Sequence, residues 1–207
     1  MLLAEMGHRV ANSLQIVASI LMLKARSVLS DETRGHLEDA HCRVMSVASL
    51  QQHLKASGIG EHVEVGAYLL TLCETLTGSM IGENSRVTMK VDAGVGTVPS
   101  EQAVSIGLIV TELVINALKY AFPDVSKTGK VTVTYKVNAE GWKLSVADNG
   151  IGIKEKPVKK LAGLGTALVK ALVQQLDGEV KTVSGDGGTI VSITHTDVQA
   201  MVPVAAA

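Results

Sequence analysis

Two long amphipathic helical patterns joined by a short turn open this chain, and neither can bury its apolar stripe unaided. In residues 3–28, Leu3, Met6, Val10, Leu14, Val17, Ile20, Leu21 and Val28 recur at helical spacing along one face. A second helix is predicted from Ser30 to about Lys55. Ser30 suits the cap, Asp31 and Glu32 suit the positive helix start, and Leu37, Ala40, Val44, Val47 and Leu54 continue the period. Gly58-Ile59-Gly60 then breaks it. A lone hairpin leaves such stripes half uncovered, so two copies are expected to pair into a four-helix bundle. Residues 1–58 are read as this dimerising hairpin.

From His62 onward the pattern becomes α+β. Helices are predicted over 64–80, 101–121 and 163–176, the second opening after Pro99-Ser100 and stopping before Pro123. Alternation marks strands over 86–91, 130–137 and 142–147, the last two joined by Asn138-Ala139-Glu140-Gly141. A final hairpin, 179–183 with 189–195, turns around Ser184-Gly185-Asp186-Gly187-Gly188. The expected architecture is an α/β sandwich over 62–197, with helices clustered against one mixed sheet. The Ala-rich residues 198–207 lack any partner pattern and are expected to form a frayed tail.

Composition removes several classes of function. Nineteen Lys and Arg against twenty Asp and Glu leave no basic excess for tracking nucleic-acid phosphates, so no nucleic-acid partner is expected. The longest apolar run, 105–118, is broken by Glu112 and Asn116 and is shorter than the roughly 20 residues that cross a bilayer. MLLAEMGHR does not read as a signal peptide, and it begins abruptly inside a helical pattern, as expected where something upstream has been removed or was never there. Cys42 and Cys73 lack metal-ligand spacing and suit reduced thiols in a cytoplasmic protein.

Chemistry concentrates in three segments. In ELVINALKYAF, 112–122, the helical period puts Glu112, Asn116 and Lys119 on a polar stripe separate from the apolar face of Ile106, Ile109, Val110, Leu113 and Ala117. Magnesium takes oxygen ligands and keeps several waters, so the Asn116 amide oxygen with nucleotide phosphates is an adequate set. Glu112 can hold the metal or polarise its water, and Lys119, with Tyr120 beside it, is left for a phosphate. In Asp148-Asn149-Gly150-Ile151-Gly152, the Asp148 carboxylate can accept a hydrogen bond from an exocyclic amine such as that of adenine. Gly150 and Gly152 allow close backbone approach. Gly163-Leu164-Gly165-Thr166 opens a helix whose free N–H groups and dipole favour phosphate.

Taken in this order, the three segments resemble the N, G1 and G2 boxes of the GHKL ATPases, the superfamily of histidine kinases, type II topoisomerases, HSP90 and the mismatch-repair ATPases. The resemblance covers roughly 62–197. It implies the Bergerat fold, MgATP as ligand, Asn116 on magnesium, Asp148 on adenine and 153–165 as a lid over the phosphates. Gly188-Thr189 is similar to that fold's closing Gly-Thr element, which adds Thr189 to the site. Lys154, Lys156, Lys159 and Lys160 in the short lid read as solvated charges.

The first helix selects among these families. His8 falls on its outward face, with Glu5 three residues before it and Asn12 four residues after. The string His8-Arg9-Val10, Asn12, Leu14-Gln15 resembles the phosphoacceptor box of the histidine kinases in which Arg follows His, a group related to the HWE kinases. That resemblance implies a sensor kinase core: His8 takes the γ-phosphoryl of MgATP and passes it to an aspartate of a response regulator receiver domain. In commoner histidine kinases an acidic residue follows the His and orients it. Here Arg9 stands there, and Glu5 or Glu112 is the proposed orienter. Asn12 is placed to hold a water in line with an aspartyl phosphate, as in phosphatase-competent kinases, and Gln15 continues that face. The alternatives are a phosphatase-biased member or a phosphotransfer scaffold with a vestigial ATP domain.

Overall fold

The computed structural model describes residues 2–56, 62–80, 86–124, 128–153 and 164–196, with backbone only at 2–9, 51–56 and 164. Helix α1 (Leu2–Ser27) and helix α2 (Asp31–Ala56) form the expected hairpin. The Ser30 hydroxyl accepts from the Thr33 N–H at 3.2 Å, so it caps α2, and Asp31 and Glu32 occupy the first turn. The face that α1 turns to α2 is built from small residues. Ala11, Ala18 and Ala25, one in every seven, are buried. The large side chains Val10, Ile16, Val17, Ile20 and Leu23 remain exposed, Leu23 to 64%.

The remaining elements are β1 (His62–Glu64), α3 (Val65–Met80), β2 (Val87–Ala93), β3 (Thr97–Pro99), α4 (Ser100–Tyr120), β4 (Gly129–Asn138), β5 (Gly141–Asp148), α5 (Leu164–Gln175), β6 (Gly178–Gly185) and β7 (Gly188–Thr196). Five strands make one mixed sheet in the order β2-β4-β5-β7-β6. Strands β2 and β4 are parallel and need a crossover, which α4 supplies; the other pairs are antiparallel. Alternation holds along β4 and β5. Val131, Val133, Tyr135, Trp142, Leu144 and Val146 are buried under the helices, whereas Lys130, Lys136 and Lys143 face outward. The mixed α/β sandwich behind a helical hairpin is the expected fold class.

Two three-residue strands escaped the periodicity. Strand β1 pairs antiparallel with β3, Val63 opposite Val98, and takes the first residue expected in α3. Such short strands carry too few alternations to register as a pattern.

The core runs through α3, α4 and the sheet and also takes in Cys42 and Leu50 of α2. Helix α4 has the length and hydropathy of a membrane-crossing helix, but 61% of its most apolar stretch is buried inside the fold. Core burial accounts for that hydropathy. Where α3 crosses α4, Gly107 lies against the ring and hydroxyl of Tyr68, and any Cβ there would overlap them. The Tyr68 hydroxyl donates to the Ser46 carbonyl of α2 at 3.4 Å. One side chain of α3 thus touches both α4 and α2.

Gly107→Val is therefore expected to cost about 1–3 kcal/mol through overpacking, despite glycine's poor helix propensity, and urea unfolding measures it. The two cysteines give a second expectation. Both are free and buried, and burial pushes Cys42 up to about 11, with help from Asp39, and Cys73 up to about 12. A thiol raised in the folded state favours folding fully below its unfolded value of 9.0, and that contribution is lost as pH climbs towards its folded value. Stability should fall from pH 9 upward, and replacing both residues by Ser should flatten the decline.

Candidate active site

A cleft of about 1330 Å³ opens between α2, α4, the start of α5 and the ends of β5 and β7. Glu112, Asn116, Lys119, Tyr120, Asp148, Gly152, Gly165, Thr166 and Thr189 line it together. Helical spacing delivers the first four, since positions 112, 116 and 119 stand on one side of α4 and Tyr120 ends the helix. The lid lysines, Gly163, and the side chains of Glu5, His8 and Leu164 lie outside the described residues. Asn12 and Gln15 are exposed on α1.

The turn after β5 is fixed from three sides. The Asn149 side-chain oxygen accepts from Lys130 N–H at 2.6 Å, and the Asn149 N–H donates to the Lys130 carbonyl at 3.2 Å. The Ile151 N–H donates to the Ala121 carbonyl at 3.0 Å, which draws Gly150 so close to Ala121 that a Cβ would overlap it. Gly150 is thus a packing residue beneath the cleft. Gly152 has φ +67° and Gly188 φ +114°, backbone states that L side chains avoid.

Asp148 Oδ1 accepts from the N–H groups of Gly150, at 2.9 Å, and Thr189, at 3.2 Å. Among the described residues Oδ2 has no hydrogen-bond partner, which leaves an oriented acceptor for an amine. Ser184, which the sequence did not mark, completes this corner. Its hydroxyl accepts from the Ile153 N–H at 2.7 Å and lies 2.9 Å from the Thr189 hydroxyl.

The polar stripe of α4 differs from expectation at two of its three positions. Glu112 was expected to hold a metal or polarise its water; instead it is 2% exposed, and both of its oxygens accept from Arg43 of α2. The Arg43 Nη2–Oε2 distance is 3.0 Å. Lys119 was expected to be left for a phosphate; its Nζ donates to Asp39 Oδ1 at 2.5 Å. The cause is the same in both cases. Helix α2 lies along α4 and brings Gly35, Asp39 and Arg43, four residues apart, against the stripe. The Glu112 hydrogen bonds hold Arg43 above its usual pKa against the opposing effect of burial. A heptad-spaced charge pair on α4 faces an i, i+4 pair on α2; only the α4 stripe was read from the sequence.

Magnesium fits this donor set only jointly with a nucleotide. Asn116 lacks a hydrogen-bond partner among the described residues and offers one hard oxygen, and no group of three or more His, Cys, Asp or Glu there could cage an ion. Phosphate oxygens would complete the shell. Thr166 in the first turn of α5 stands on the cleft wall, where helix N–H groups and dipole suit those phosphates.

A cleft with these features, built on a mixed sheet, is that of the histidine kinase-, DNA gyrase B- and HSP90-like ATPases, whose family model matches residues 101–199. A second family model, described as histidine kinase, matches residues 5–80. Blue-light-activated histidine kinase 2 of Erythrobacter litoralis is 32% identical over 197 residues, 92% of this chain and 56% of that protein. Sensor histidine kinase PdtaS of Mycobacterium tuberculosis is 31% identical over 179 residues, 85% of this chain and 35% of that protein. The solved histidine kinase domain of the Erythrobacter litoralis EL346 blue-light activated kinase superposes with a TM-score of 0.69 at 29% identity, covering 92% of this chain and 91% of that one. The chain belongs to the sensor histidine kinase family, and it spans about half of one of these curated relatives and a third of the other.

Asp148→Asn replaces the charged acceptor while keeping its shape. It is expected to weaken binding of an adenine nucleotide about 10-fold or more, the share of a hydrogen bond to a charged group, as measured by calorimetry.

Proposed function

We propose that this chain is the catalytic core of a two-component signalling kinase, which phosphorylates itself on His8 from MgATP and passes the phosphoryl group to an aspartate of a response regulator receiver domain. The observation that carries this reading is the convergence of Asn116, Asp148 and the start of α5 on one cleft, in a chain whose first helix bears the His8-Arg9 string. Asp148 accepts the adenine amine. Asn116 and the phosphates would share magnesium, which neutralises phosphate charge when bound. The α5 N-terminus, with Thr166, holds the phosphate chain, and Lys119, once released from Asp39, adds a cation.

His8 is the nucleophile. In its neutral form it attacks through a ring nitrogen, with the bond from the γ-phosphorus to the bridging oxygen breaking in line. Catalysis of this step is mainly positioning and charge neutralisation, which the cleft supplies. Glu5 or Glu112 orients the ring and takes up its proton. Asn12, exposed one turn from position 8, holds a water in line with the regulator's aspartyl phosphate for its hydrolysis.

Residues 1–58 and 62–197 form the dimerising hairpin and the catalytic domain of this reading. The exposed Val10, Ile16, Val17, Ile20 and Leu23 of α1 support a homodimer, since two such faces would bury one another in a four-helix bundle. The cytoplasm, where MgATP and receiver domains meet, is the proposed location.

Incubation with γ-labelled ATP and magnesium should give acid-labile, alkali-stable label that disappears in His8→Ala. Glu→Gln at the orienting position should slow labelling, and at Glu5 it should do so while ATP affinity stays nearly intact. Measurable ATP binding with no label on His8 would overturn the proposal.

A further inference from the structure

Ser184 stands at the Asp148 corner of the cleft without a part in the reaction proposed above. Cross-strand pairing sets it opposite Thr189 where β6 turns into β7, with Gly185 opposite Gly188 at the next position. The hydroxyl oxygens of Ser184 and Thr189 lie 2.9 Å apart, a contact that facing strand positions favour. The turn after β5 rests on the same atom. The Ile153 N–H donates to the Ser184 hydroxyl at 2.7 Å, and at Gly152 a Cβ would stand 3.1 Å from that oxygen and overlap the Gly185 carbonyl. Ser184 is exposed, so these partners rather than burial fix its hydroxyl.

A hydroxyl has one hydrogen to give and two lone pairs to receive with. One lone pair of Ser184 takes the Ile153 N–H. Its hydrogen has two acceptors in reach, the Thr189 hydroxyl at 2.9 Å and the Gly188 carbonyl at 3.4 Å; the first lies within the usual range for such bonds and the second beyond it. The Thr189 hydroxyl then receives from Ser184 and keeps its own hydrogen for the cleft, which it lines. An acceptor adjoins it. The Thr189 N–H donates to Asp148 Oδ1 at 3.2 Å, and Oδ2 has no hydrogen-bond partner among the described residues. An acceptor next to a donor matches the edge of adenine, whose 6-amine donates and whose N1 accepts. A 6-oxopurine carries the opposite pair, an oxygen acceptor and an N1 hydrogen.

We propose that Ser184 is a positioning residue for base recognition: by donating to Thr189 it fixes the Thr189 hydroxyl as a donor towards the base, and so selects adenine over a 6-oxopurine. Ser184 itself touches no ligand. With its hydroxyl in place, the Thr189 hydrogen and a 6-oxopurine N1 hydrogen meet as two donors, and neither is satisfied. Without it, the Thr189 hydroxyl can turn and accept from that N1. Asp148 still opposes the 6-oxo group, so the preference for adenine shrinks and does not reverse. This inference rests on the ATP-site reading above.

The test is calorimetric binding of ADP to the whole chain, and its displacement by inosine diphosphate, in wild type, Ser184→Ala and Ser184→Thr. The preference for ADP over inosine diphosphate is expected to fall about 5-fold in Ser184→Ala, the share of one hydrogen bond between neutral groups. Ser184→Thr keeps a hydroxyl and is expected to keep the preference. In a Thr189→Val background, where no hydroxyl is left to orient, Ser184→Ala is expected to leave the preference where it was. A corner merely loosened by loss of the Ile153 contact weakens both nucleotides alike and leaves their ratio unmoved. An unchanged ratio in Ser184→Ala, or an equal fall in Ser184→Thr or in the Thr189→Val background, therefore overturns the role of Ser184 but leaves the ATP site standing. No ADP binding by the wild type overturns both.

Discussion

A carboxylate that is 2% exposed on an otherwise apolar helix must have a cation beside it, and Arg43 is that cation for Glu112. Much of the arrangement depends on this pair. It fixes where α2 lies on α4, and it brings Asp39 to Lys119. It also explains Gly165, where any Cβ at the start of α5 would overlap the Glu112 carboxylate. Deleting one partner of a buried ion pair typically costs about 3–5 kcal/mol, whereas an apolar replacement of both is often neutral. Stability is therefore a weak reason to place charges here. A charged pair is a contact that can be exchanged for water or phosphate, which packed hydrocarbon cannot.

The other wall of the cleft is built on the opposite plan. Around Asp148 almost every polar group is tied down by backbone: Asn149 to Lys130, Ile151 to Ala121, Ser184 to Ile153, and Asp148 itself to Gly150 and Thr189. Two glycines with positive φ and one pressed against Ala121 let these segments approach without side chains intervening. An acceptor held this way loses little entropy on meeting a ligand. The Asp148 side of the cleft is thus preorganised, and the α4 side is paired with α2.

This division also decides what could be read from sequence. Positions 112, 116 and 119 were legible as one stripe because helical period is a local property, and Asp148 with its glycines was legible because a strand ending in a turn is local too. The hairpin, the order of strands and helices and the family resemblance came from the same kind of signal. What lay beyond it was non-local. Asp39 and Arg43 look like solvated charges on α2 until α4 is laid beside them, and Ser184 looks like any turn residue until β6 and β7 bracket the glycine turn. Burial of Cys42 and Leu50 in the catalytic core likewise depends on which face α2 presents to α3 and α4. Strands β1 and β3 were too short to alternate visibly.

The first helix keeps two surfaces of the hairpin apart. Helix α1 meets α2 through Ala11, Ala18 and Ala25, small residues that let the two backbones approach and turn Val10, Ile16, Val17, Ile20 and Leu23 elsewhere. The charged face of α2 that grips α4 is separate from that exposed apolar face of α1. A second hairpin packed on α1 would therefore leave the grip of α2 on α4 in place. The proposed dimer face of α1 and the face of α2 that meets α4 are therefore separate surfaces of one hairpin, and a substitution on either can be made without touching the other.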